Sequence, residues 1–260
     1  MISVCIATYN GERYIKQQLD SILKQIGSED EVVISDDGST DKTLQIVLSY
    51  NDPRIKVYHH DSSTVKTTFL LDKPTHNFEN ALNMSTGDII FLADQDDEWM
   101  PDKVKIMTEA LENADFAVHD CIVMDSVLKD TIQPSFFSYI DICKGVWHNF
   151  CRQRYMGCCM AFRRELLYTA LPFPRTKVGH DQWLGIVANM KYKVNLVRKV
   201  LIKYRKHENS KTTSGTKSNH SLWFKINYRL TLFVCIMKLY ARVCFMDSSE
   251  KSIPHSLHRR

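Results

Sequence analysis

The chain has 260 residues, of which 44% are hydrophobic and 25% charged, a composition typical of a globular protein with one main domain. Its formal net charge of +4 comes from cations that are spread along the chain until its last quarter, so we expect no nucleic-acid partner. No apolar run approaches the roughly 20 residues that span a bilayer. The chain opens on an apolar strand pattern without the features of a secretory signal, so we expect a cytoplasmic protein with reduced cysteines.

Strand and helix patterns alternate through the first half of the chain. Short apolar runs predict the strands, and apolar residues spaced three or four apart predict the helices between them. In chain order, beginning with a strand, these elements cover residues 2–7, 15–26, 31–35, 40–49, 55–59, 77–84, 89–93, 101–111 and 116–124. Such an alternation builds a mostly parallel sheet that binds ligands at the carboxyl ends of its strands.

The second half of the chain is less regular. It predicts loops and short strands over residues 125–149, a strand over 155–162, a helix over 181–190 and a strand over 194–204. We therefore expect one domain over residues 1–205, a flexible loop over 206–220, an amphipathic helix over 221–246 and a disordered tail over 247–260.

The predicted C-terminal helix has apolar residues on two sides. Its cations Lys225, Arg229, Lys238 and Arg242 would suit the anionic headgroups of the inner face of the plasma membrane. A helix buried in its own fold or in a dimer explains the two apolar sides equally well. Peripheral membrane binding and an oligomer therefore both stay open.

Polar and acidic residues follow three of the predicted parallel strands. These clusters are Thr8-Tyr9-Asn10, Asp36-Asp37-Gly38-Ser39 and Asp94-Gln95-Asp96-Asp97. Because the carboxyl ends of parallel strands lie at one edge of a sheet, the sequence predicts a binding site there.

The acidic residues of these clusters have two interpretations. Asp94 and Asp96 can direct carboxylate oxygens at one hard divalent cation, which commonly binds substrate phosphates as well. Alternatively they favour the N-terminus of the next helix or solvate a loop, because so short a motif often arises by chance. Asp36 and Asp37 could cap the following helix, or a carboxylate there could accept the imide N–H of uracil or thymine.

Residues late in the chain could complete such a site. His207 could approach the metal or the diphosphate, and Arg205 or Lys206 could hold phosphate. Gly157 is small enough to let an acceptor approach closely, although a tightly packed strand explains it equally well. Trp183 could stack on a sugar ring, but a buried tryptophan is the commoner case.

Four segments together resemble one family. They are VCIATYNGERYIKQQLDSIL, EVVISDDGSTDKT, TGDIIFLADQDDEWMPDKV and GHDQW, and in this order they are similar to inverting family 2 glycosyltransferases of the GT-A fold. Within the family, ADQDDEWMPDK, HDQW and YRKHENS look most like bacterial rhamnosyltransferase-type enzymes of surface-polysaccharide assembly. The resemblance implies a Rossmann-like, mostly parallel sheet flanked by helices, with a C-terminal helical extension, and a requirement for Mg²⁺ or Mn²⁺.

The resemblance also implies site residues. Those expected to bind the nucleotide are Thr8, Tyr9, Asn10, Glu12, Asp36, Asp37 and Asp94. Asp94 and Asp96 would meet the metal, with His207 as a further candidate ligand. Asp181 would be the catalytic base, although an N-cap explains it equally well from sequence alone. Candidates for the acceptor side are Gly157, Trp183 and His180, which stands where a glutamate is common in the family.

The implied reaction is the transfer of a sugar from a UDP- or dTDP-sugar to a hydroxyl of a glycan or lipid-linked glycan. It would proceed by a single inverting displacement with Asp181 as the base. The alternative is a catalytically inactive protein of the same fold that binds a nucleotide sugar or acts as a scaffold. The histidine at position 180 leaves room for that alternative.

Overall fold

A computed structural model describes residues 1–62, 69, 72–207 and 221–251. The chain divides into two compact units, Met1–Asn219 and His220–Arg260. Strands of the first unit are β1 (Ile2–Thr8), β2 (Glu31–Asp36), β3 (Ile55–His59), β4 (Ile89–Asp94), β5 (Glu98–Trp99), β6 (Phe116–Met124), β7 (Thr131–Gln133), β8 (Met160–Arg163) and β9 (Val194–Arg205). Its helices are α1 (Ile15–Leu23), α2 (Thr43–Ser49), α3 (Asp72–Met84), α4 (Lys103–Ala110), α5 (Phe136–Ile140), α6 (Val146–Cys151), α7 (Glu165–Ala170) and α8 (His180–Lys191).

The strands form one sheet in the order β3-β2-β1-β4-β8-β6-β9-β5, and β7 pairs with β6. Strands β3, β2, β1 and β4 run parallel to one another, and β6 runs parallel to β9. Strand β8 runs antiparallel between β4 and β6. This is the mostly parallel sheet flanked by helices that the sequence predicted.

The central strands are buried because helices cover both faces of the sheet. All six residues of β2 are buried, and Val4, Cys5 and Ile6 of β1 have no exposed surface. A strand that is covered on both faces is apolar along its whole length. These strands are therefore recognisable in the sequence as continuous apolar runs. Helix α1 packs through buried residues spaced three or four apart, namely Ile15, Gln18, Leu19 and Ile22.

The strand register brings the predicted clusters together. Thr8 at the end of β1 lies opposite Asp36 at the end of β2. On the other side of β1, Ala7 lies opposite Asp94 at the end of β4. The three polar clusters that follow these strands therefore lie at one edge of the sheet.

The segment expected to be a strand over residues 155–162 differs in the structure. It forms a 3-10 turn at Gly157–Cys159, and the strand β8 begins only at Met160. The carbonyl oxygen of Cys158 accepts a hydrogen bond from Lys103 Nζ at 2.8 Å, so a side chain satisfies it rather than a neighbouring strand. Composition alone does not reveal such a partner.

Residues 125–149 also contain more regular structure than expected, since two short helices accompany β7. Helix α5 begins after Ser135, whose hydroxyl oxygen accepts a hydrogen bond from the main-chain N–H of Ser138 at 3.1 Å. This is an N-cap, and it stabilises a helix too short to show a periodic pattern.

The second unit contains helix α9 (Leu222–Lys251). The helix includes the predicted amphipathic segment and continues into residues for which the sequence predicted a disordered tail. Most of the predicted loop, residues 208–220, and the rest of the tail, residues 252–260, lie outside the part of the chain that the structure describes. Within that part, no helix is both long and apolar enough to cross a membrane.

Candidate functional site

Asp36 organises the turn after β2. Its buried carboxylate accepts hydrogen bonds from Thr8 Oγ1 at 2.7 Å, from Ser39 Oγ at 2.6 Å and from the Ser39 main-chain N–H at 2.8 Å. Of the residues predicted to bind the nucleotide, Thr8 and Asp36 therefore contact each other. Their bonds fix the ends of two strands at the edge of the site.

Asp37 is bonded to the segment that follows β3. Its carboxylate accepts from the Ser62 main-chain N–H at 2.9 Å and from Ser62 Oγ at 2.6 Å, and it lies 3.1 Å from His60 Nδ1. Its side chain is 9% exposed. The segment after β3 therefore holds the Asp37 carboxylate in place. Contact of this carboxylate with a pyrimidine base stays a prediction.

The loops after β1 and β2 bond to each other through two predicted site residues. Asn10, at a left-handed φ of 48°, accepts a hydrogen bond from the Thr40 main-chain N–H at 2.9 Å through Oδ1. The Glu12 carboxylate accepts from the Lys42 main-chain N–H at 2.8 Å. Tyr9 is 55% exposed beside these loops, where its ring is accessible to a ligand.

Sequence reasoning missed the part played by Gln95. The Gln95 side chain bonds to both main-chain groups of Tyr9, since Oε1 accepts from Tyr9 N at 3.0 Å and Nε2 donates to Tyr9 O at 3.0 Å. A Cβ atom on Gly11 would lie 2.4 Å from Gln95 Oε1, so this approach requires glycine. The sequence signal for this role is the position of Gln95 between two aspartates, because an amide side chain can both donate and accept hydrogen bonds.

Three carboxylates lie close together after β4. The pKa of Asp94 rises from 3.8 to about 7 because of burial and because of the negative charges of Asp96 and Asp181. The pKa of Asp97, which is fully buried, is raised well above its ordinary value by burial and by Asp96 and Asp94. The cluster therefore has more negative charge than its surroundings balance, which fits a cation-binding site.

The end of strand β9 and the residues just after it supply the neighbours of Asp96. His207 Nε2 lies 2.7 Å from Asp96 Oδ2, so the structure joins two of the predicted metal ligands. Arg205 donates to Asp96 O at 2.6 Å through Nε, and its main-chain N–H donates to Asp97 Oδ1 at 2.9 Å. The Arg205 guanidinium also bonds to Ser126 O and Gln17 Oε1, so it holds this turn in place, and contact of Arg205 with phosphate stays a prediction.

A buried lysine lies beside the acidic turn and was not identified from sequence. Lys103 has no exposed surface, donates to Cys158 O at 2.8 Å, and lies 4.1 Å from the ring centroid of Trp99. Burial lowers its pKa from 10.5 to about 8. Cys158 also belongs to a group of possible metal ligands. Its Sγ, one carboxylate oxygen of Asp94 and one of Asp97 lie within 4.8 Å of one another. Lysine usually marks a solvated surface, so nothing in the pattern pointed to this position.

Asp181 is the second residue of α8, after the N-cap Gly179. Its Oδ1 accepts from the Gln182 main-chain N–H at 2.8 Å, and the Gln153 side-chain amide donates to Oδ2. A Cβ atom on Gly157 would lie 3.5 Å from Asp181 Cβ, and the sulfur of the adjacent Cys158 lies within 4.8 Å of carboxylate oxygens of Asp94 and Asp97, so Asp181 lies beside the acidic turn. Because Gly179 is the N-cap of α8, Asp181 is not, although the first turn of a helix also favours a negative charge.

Two acceptor-side candidates, His180 and Trp183, belong to α8, and the third, Gly157, packs against its first turn. His180 lies on Phe78 with ring centroids 4.2 Å apart, and burial lowers its pKa. A Cβ atom on Gly157 would lie 2.9 Å from His180 Nε2, so the glycine allows this packing. Trp183 is buried, and its indole N–H donates to Ala170 O at 2.9 Å. These contacts are those of packing residues, and contact with an acceptor stays a prediction.

Comparison with known proteins identifies the family. The model of the family described as "Glycosyl transferase family 2" matches residues 3–170, which is more than half of the chain. The chain belongs to glycosyl transferase family 2. Asp181 and His207 lie beyond the matched segment of this family 2 chain.

Curated relatives of this family 2 chain include bacterial proteins. It is 23% identical to the Escherichia coli protein "UDP-Glc:alpha-D-GlcNAc-diphosphoundecaprenol beta-1,3-glucosyltransferase WfgD", over 86% of this chain and 84% of the relative. It is 26% identical to the "dTDP-rhamnosyl transferase RfbG" of Shigella flexneri, over 86% of this chain and 77% of that protein. An uncharacterized glycosyltransferase of Nostoc sp. matches over only 40% of its own length.

Solved structures confirm that this family 2 chain has the GT-A fold. Staphylococcus aureus TarS 1–349 in complex with UDP-GlcNAc matches with a TM-score of 0.62 at 23% identity, over 84% of this chain and 62% of TarS 1–349. The mannosyltransferase PcManGT of Pyrobaculum calidifontis, in complex with GDP-Man and Mn²⁺, matches with a TM-score of 0.59 at 21% identity, over 80% of this chain and 58% of that one. The chain thus spans less than two thirds of these solved proteins.

Proposed function

We propose that the protein transfers a sugar from a UDP- or dTDP-sugar to a hydroxyl of a growing bacterial surface glycan, with inversion at the anomeric carbon. The observation that carries this proposal is that Asp181 packs against Gly157, the neighbour of Cys158, whose sulfur lies within 4.8 Å of carboxylate oxygens of Asp94 and Asp97. Membership of family 2 and the names of WfgD and RfbG, which mention UDP-glucose and dTDP-rhamnose, support it. The sugar itself is left open.

The donor would bind along the edge formed by β1, β2 and β4. Asp37 would accept the imide N–H of the pyrimidine, and the exposed Tyr9 ring would contact the base or the ribose. Asp94, Asp96 and His207 would hold Mg²⁺ or Mn²⁺, for which the unbalanced charge of the carboxylates is the supporting observation. When bound, the cation offsets the negative charge that grows on the leaving diphosphate.

Asp181 would remove the proton of the attacking hydroxyl. The main-chain N–H of Gln182 and the side chain of Gln153 hold its carboxylate in one orientation. A single displacement needs one such base, and attack from the face opposite the diphosphate inverts the anomeric configuration. His180 packs on the Phe78 ring and brings no carboxylate, so Asp181 would be the only carboxylate base of this pair.

The acceptor would be a lipid-linked glycan at the inner face of the plasma membrane. WfgD, whose name gives a diphosphoundecaprenol acceptor, supports this choice. Helix α9 supports it as well, because Leu222, Trp223 and Leu230 are 75%, 75% and 60% exposed in a segment that carries four cations.

The decisive experiment replaces the proposed base with its isosteric amide. Asp181→Asn should lower transfer by about a hundredfold or more, because an amide cannot accept the hydroxyl proton. Binding of UDP with Mn²⁺, measured by isothermal titration calorimetry, should be retained. A panel of UDP- and dTDP-sugars supplies the donor for the transfer assay.

Asp102→Asn is the matched control, because Asp102 is exposed at a left-handed φ of 65° that asparagine also adopts. Its transfer rate should equal that of the unmodified protein. Unchanged transfer in Asp181→Asn would remove Asp181 from the mechanism. Nucleotide binding without transfer to any acceptor in the unmodified protein would favour the inactive scaffold.

A further inference from the structure

We infer that Asp94, Asp97 and Cys158 form a binding site for a thiophilic divalent cation of the Zn²⁺ class. This site differs in its ligands from the proposed Mg²⁺ or Mn²⁺ site, which uses Asp96 and His207, and the two share only Asp94. Binding of the cation alone to these residues does not depend on the transfer reaction.

Geometry is the first support. One carboxylate oxygen of Asp94, one of Asp97 and Cys158 Sγ all lie within 4.8 Å of one another. Oxygen and sulfur ligands of a tetrahedral zinc ion lie about 3.5 Å apart, given metal–ligand distances near 2.0 and 2.3 Å. A contraction of at most about 1.3 Å therefore suffices to form the site. Two residues of the β4–β5 turn region and one residue of the 3-10 turn supply the ligands.

The state of Asp97 is the second support. Asp97 has no exposed surface, and its Oδ1 accepts from the Arg205 main-chain N–H at 2.9 Å. Its Oδ2 has no hydrogen-bonded nitrogen or oxygen partner among the described residues. The Cys158 thiol hydrogen-bonds to the Asp97 carboxylate, but a thiol is a weak donor, so a cation would satisfy this buried carboxylate better.

Lys103 provides the third support, because it fixes the position of the thiol-bearing residue. Its Nζ donates to the main-chain oxygen of Cys158 at 2.8 Å, so this bond does not occupy either carboxylate. The bond holds in place the main chain that carries the sulfur ligand.

The sulfur ligand determines which cations the site prefers. Thiolate binds Zn²⁺ and Cd²⁺ strongly, whereas Mg²⁺ prefers oxygen ligands only. On binding, the S–H bond of Cys158 breaks, the sulfur keeps the electron pair for the metal, and the proton goes to solvent. A thiophilic cation that occupies Asp94 would also compete with Mg²⁺ or Mn²⁺ for that carboxylate.

The test uses the full chain with Cys151 and Cys244, its two exposed cysteines outside the site, replaced by serine. This background protein is titrated with CdCl₂ alone, and cadmium–thiolate charge-transfer absorption in the ultraviolet is recorded. One Cd²⁺ per chain should bind, with Zn²⁺ competing and Mg²⁺ not competing. Cys158→Ser should abolish the absorption, and Asp97→Asn should weaken binding about tenfold or more.

Cys143→Ser is the matched control, because it removes a thiol that is not among the proposed ligands, and it should leave the titration unchanged. Absence of the absorption in the background protein, or its persistence in Cys158→Ser, overturns the inference. Should either site variant fail to fold, ¹¹³Cd NMR of the background protein decides. A resonance typical of one sulfur with several oxygens supports the site, and an oxygen-only or many-sulfur resonance overturns it.

Discussion

Buried ionisable side chains dominate the site at the scale of single residues. Asp97 and Lys103 have no exposed surface, and Asp94 carries a pKa raised to about 7. Burial disfavours the charged form of each group, so the pKa values of the carboxylates rise and that of the lysine falls to about 8. Such pKa shifts are typical of functional sites, where ionisable groups bind a ligand of opposite charge.

The raised pKa of Asp94 predicts a fall in stability with rising pH when no cation is bound. The folded protein retains the Asp94 proton up to a pH of about 7, whereas the unfolded chain releases it near the ordinary value of 3.8. Between these values the folded state binds more protons, so the free energy of unfolding decreases as pH rises. Melting temperatures measured in chelator from pH 4 to pH 8 test this.

Other groups also titrate in that range, so the difference between the unmodified protein and Asp94→Asn is the informative quantity. Asp94→Asn should show a flatter dependence on pH over the same interval. Saturating Mn²⁺ should also reduce the fall in the unmodified protein, because the bound cation stabilises the ionised carboxylate. Parallel curves for the two proteins in chelator would contradict the assignment of a raised pKa to Asp94.

The lysine predicts a separate effect on stability. Lys103→Met keeps most of the apolar stem beside Trp99 but removes the hydrogen bond to Cys158 O. We expect a loss of about 2 kcal/mol in the free energy of unfolding, typical of a hydrogen bond to a charged group. Urea unfolding measures it, with Lys105→Met at an exposed position of the same helix as a control that should change little. An equal effect of both substitutions would contradict a structural role for the Lys103 ammonium.

At the scale of elements, the contact between the 3-10 turn and α8 brings the turn of Cys158 close to Asp181. A Cβ atom at position 157 would lie 2.9 Å from His180 Nε2 and 3.5 Å from Asp181 Cβ. Helix α8 therefore approaches the turn as closely as glycine permits. This packing holds the proposed base beside the acidic cluster.

Gly157→Ala should accordingly destabilise the fold by about 1–3 kcal/mol through overpacking. The same substitution should cost much less when it is made in a His180→Ala background, because that background lacks the ring that the new methyl group meets. The free energies of unfolding of the two single variants and the double variant give this comparison. Gly27→Ala is the control, since its Cβ would lie at an ordinary distance of 3.5 Å from Asp30 Oδ2. Strictly additive effects of the two substitutions would contradict a direct contact.

The sequence predicted the elements whose own residues determine them. Strands β1, β2 and β4 are continuous apolar runs, and the register that aligns Thr8, Asp36 and Asp94 follows from their parallel arrangement. The 3-10 turn before β8 could not be predicted, because its conformation depends on a lysine 55 positions away in the chain. The orientation of Gln95 toward Tyr9 likewise depends on a contact between distant residues.

At the scale of the whole molecule, the chain combines the GT-A unit with the long helix α9. No aspartate or glutamate occurs between Leu222 and Met246, where Lys225, Arg229, Lys238 and Arg242 accompany exposed apolar side chains. A helix with this composition fits the interface of an anionic bilayer, where apolar burial and attraction to headgroups act together. Membrane binding through α9 remains our proposal.

We predict that the protein sediments with vesicles containing anionic phospholipid and not with neutral vesicles. Lys225→Gln combined with Lys238→Gln should weaken binding by about 2 kcal/mol, or about thirtyfold, at roughly 1 kcal/mol per cation. Added salt should also weaken it. Lys105→Gln combined with Lys129→Gln, at exposed positions of the first unit, is the matched control. Equal binding to neutral and anionic vesicles would contradict an electrostatic contribution from α9.

The bonds of Gln95 have a thermodynamic consequence. Because its amide holds both main-chain groups of Tyr9, the loop expected to contact the nucleoside and the turn expected to hold the cation move as one body. A ligand that orders one of them lowers the entropic cost of ordering the other. Nucleoside and cation should therefore bind with positive cooperativity, and by linkage each raises the affinity of the other by the same factor.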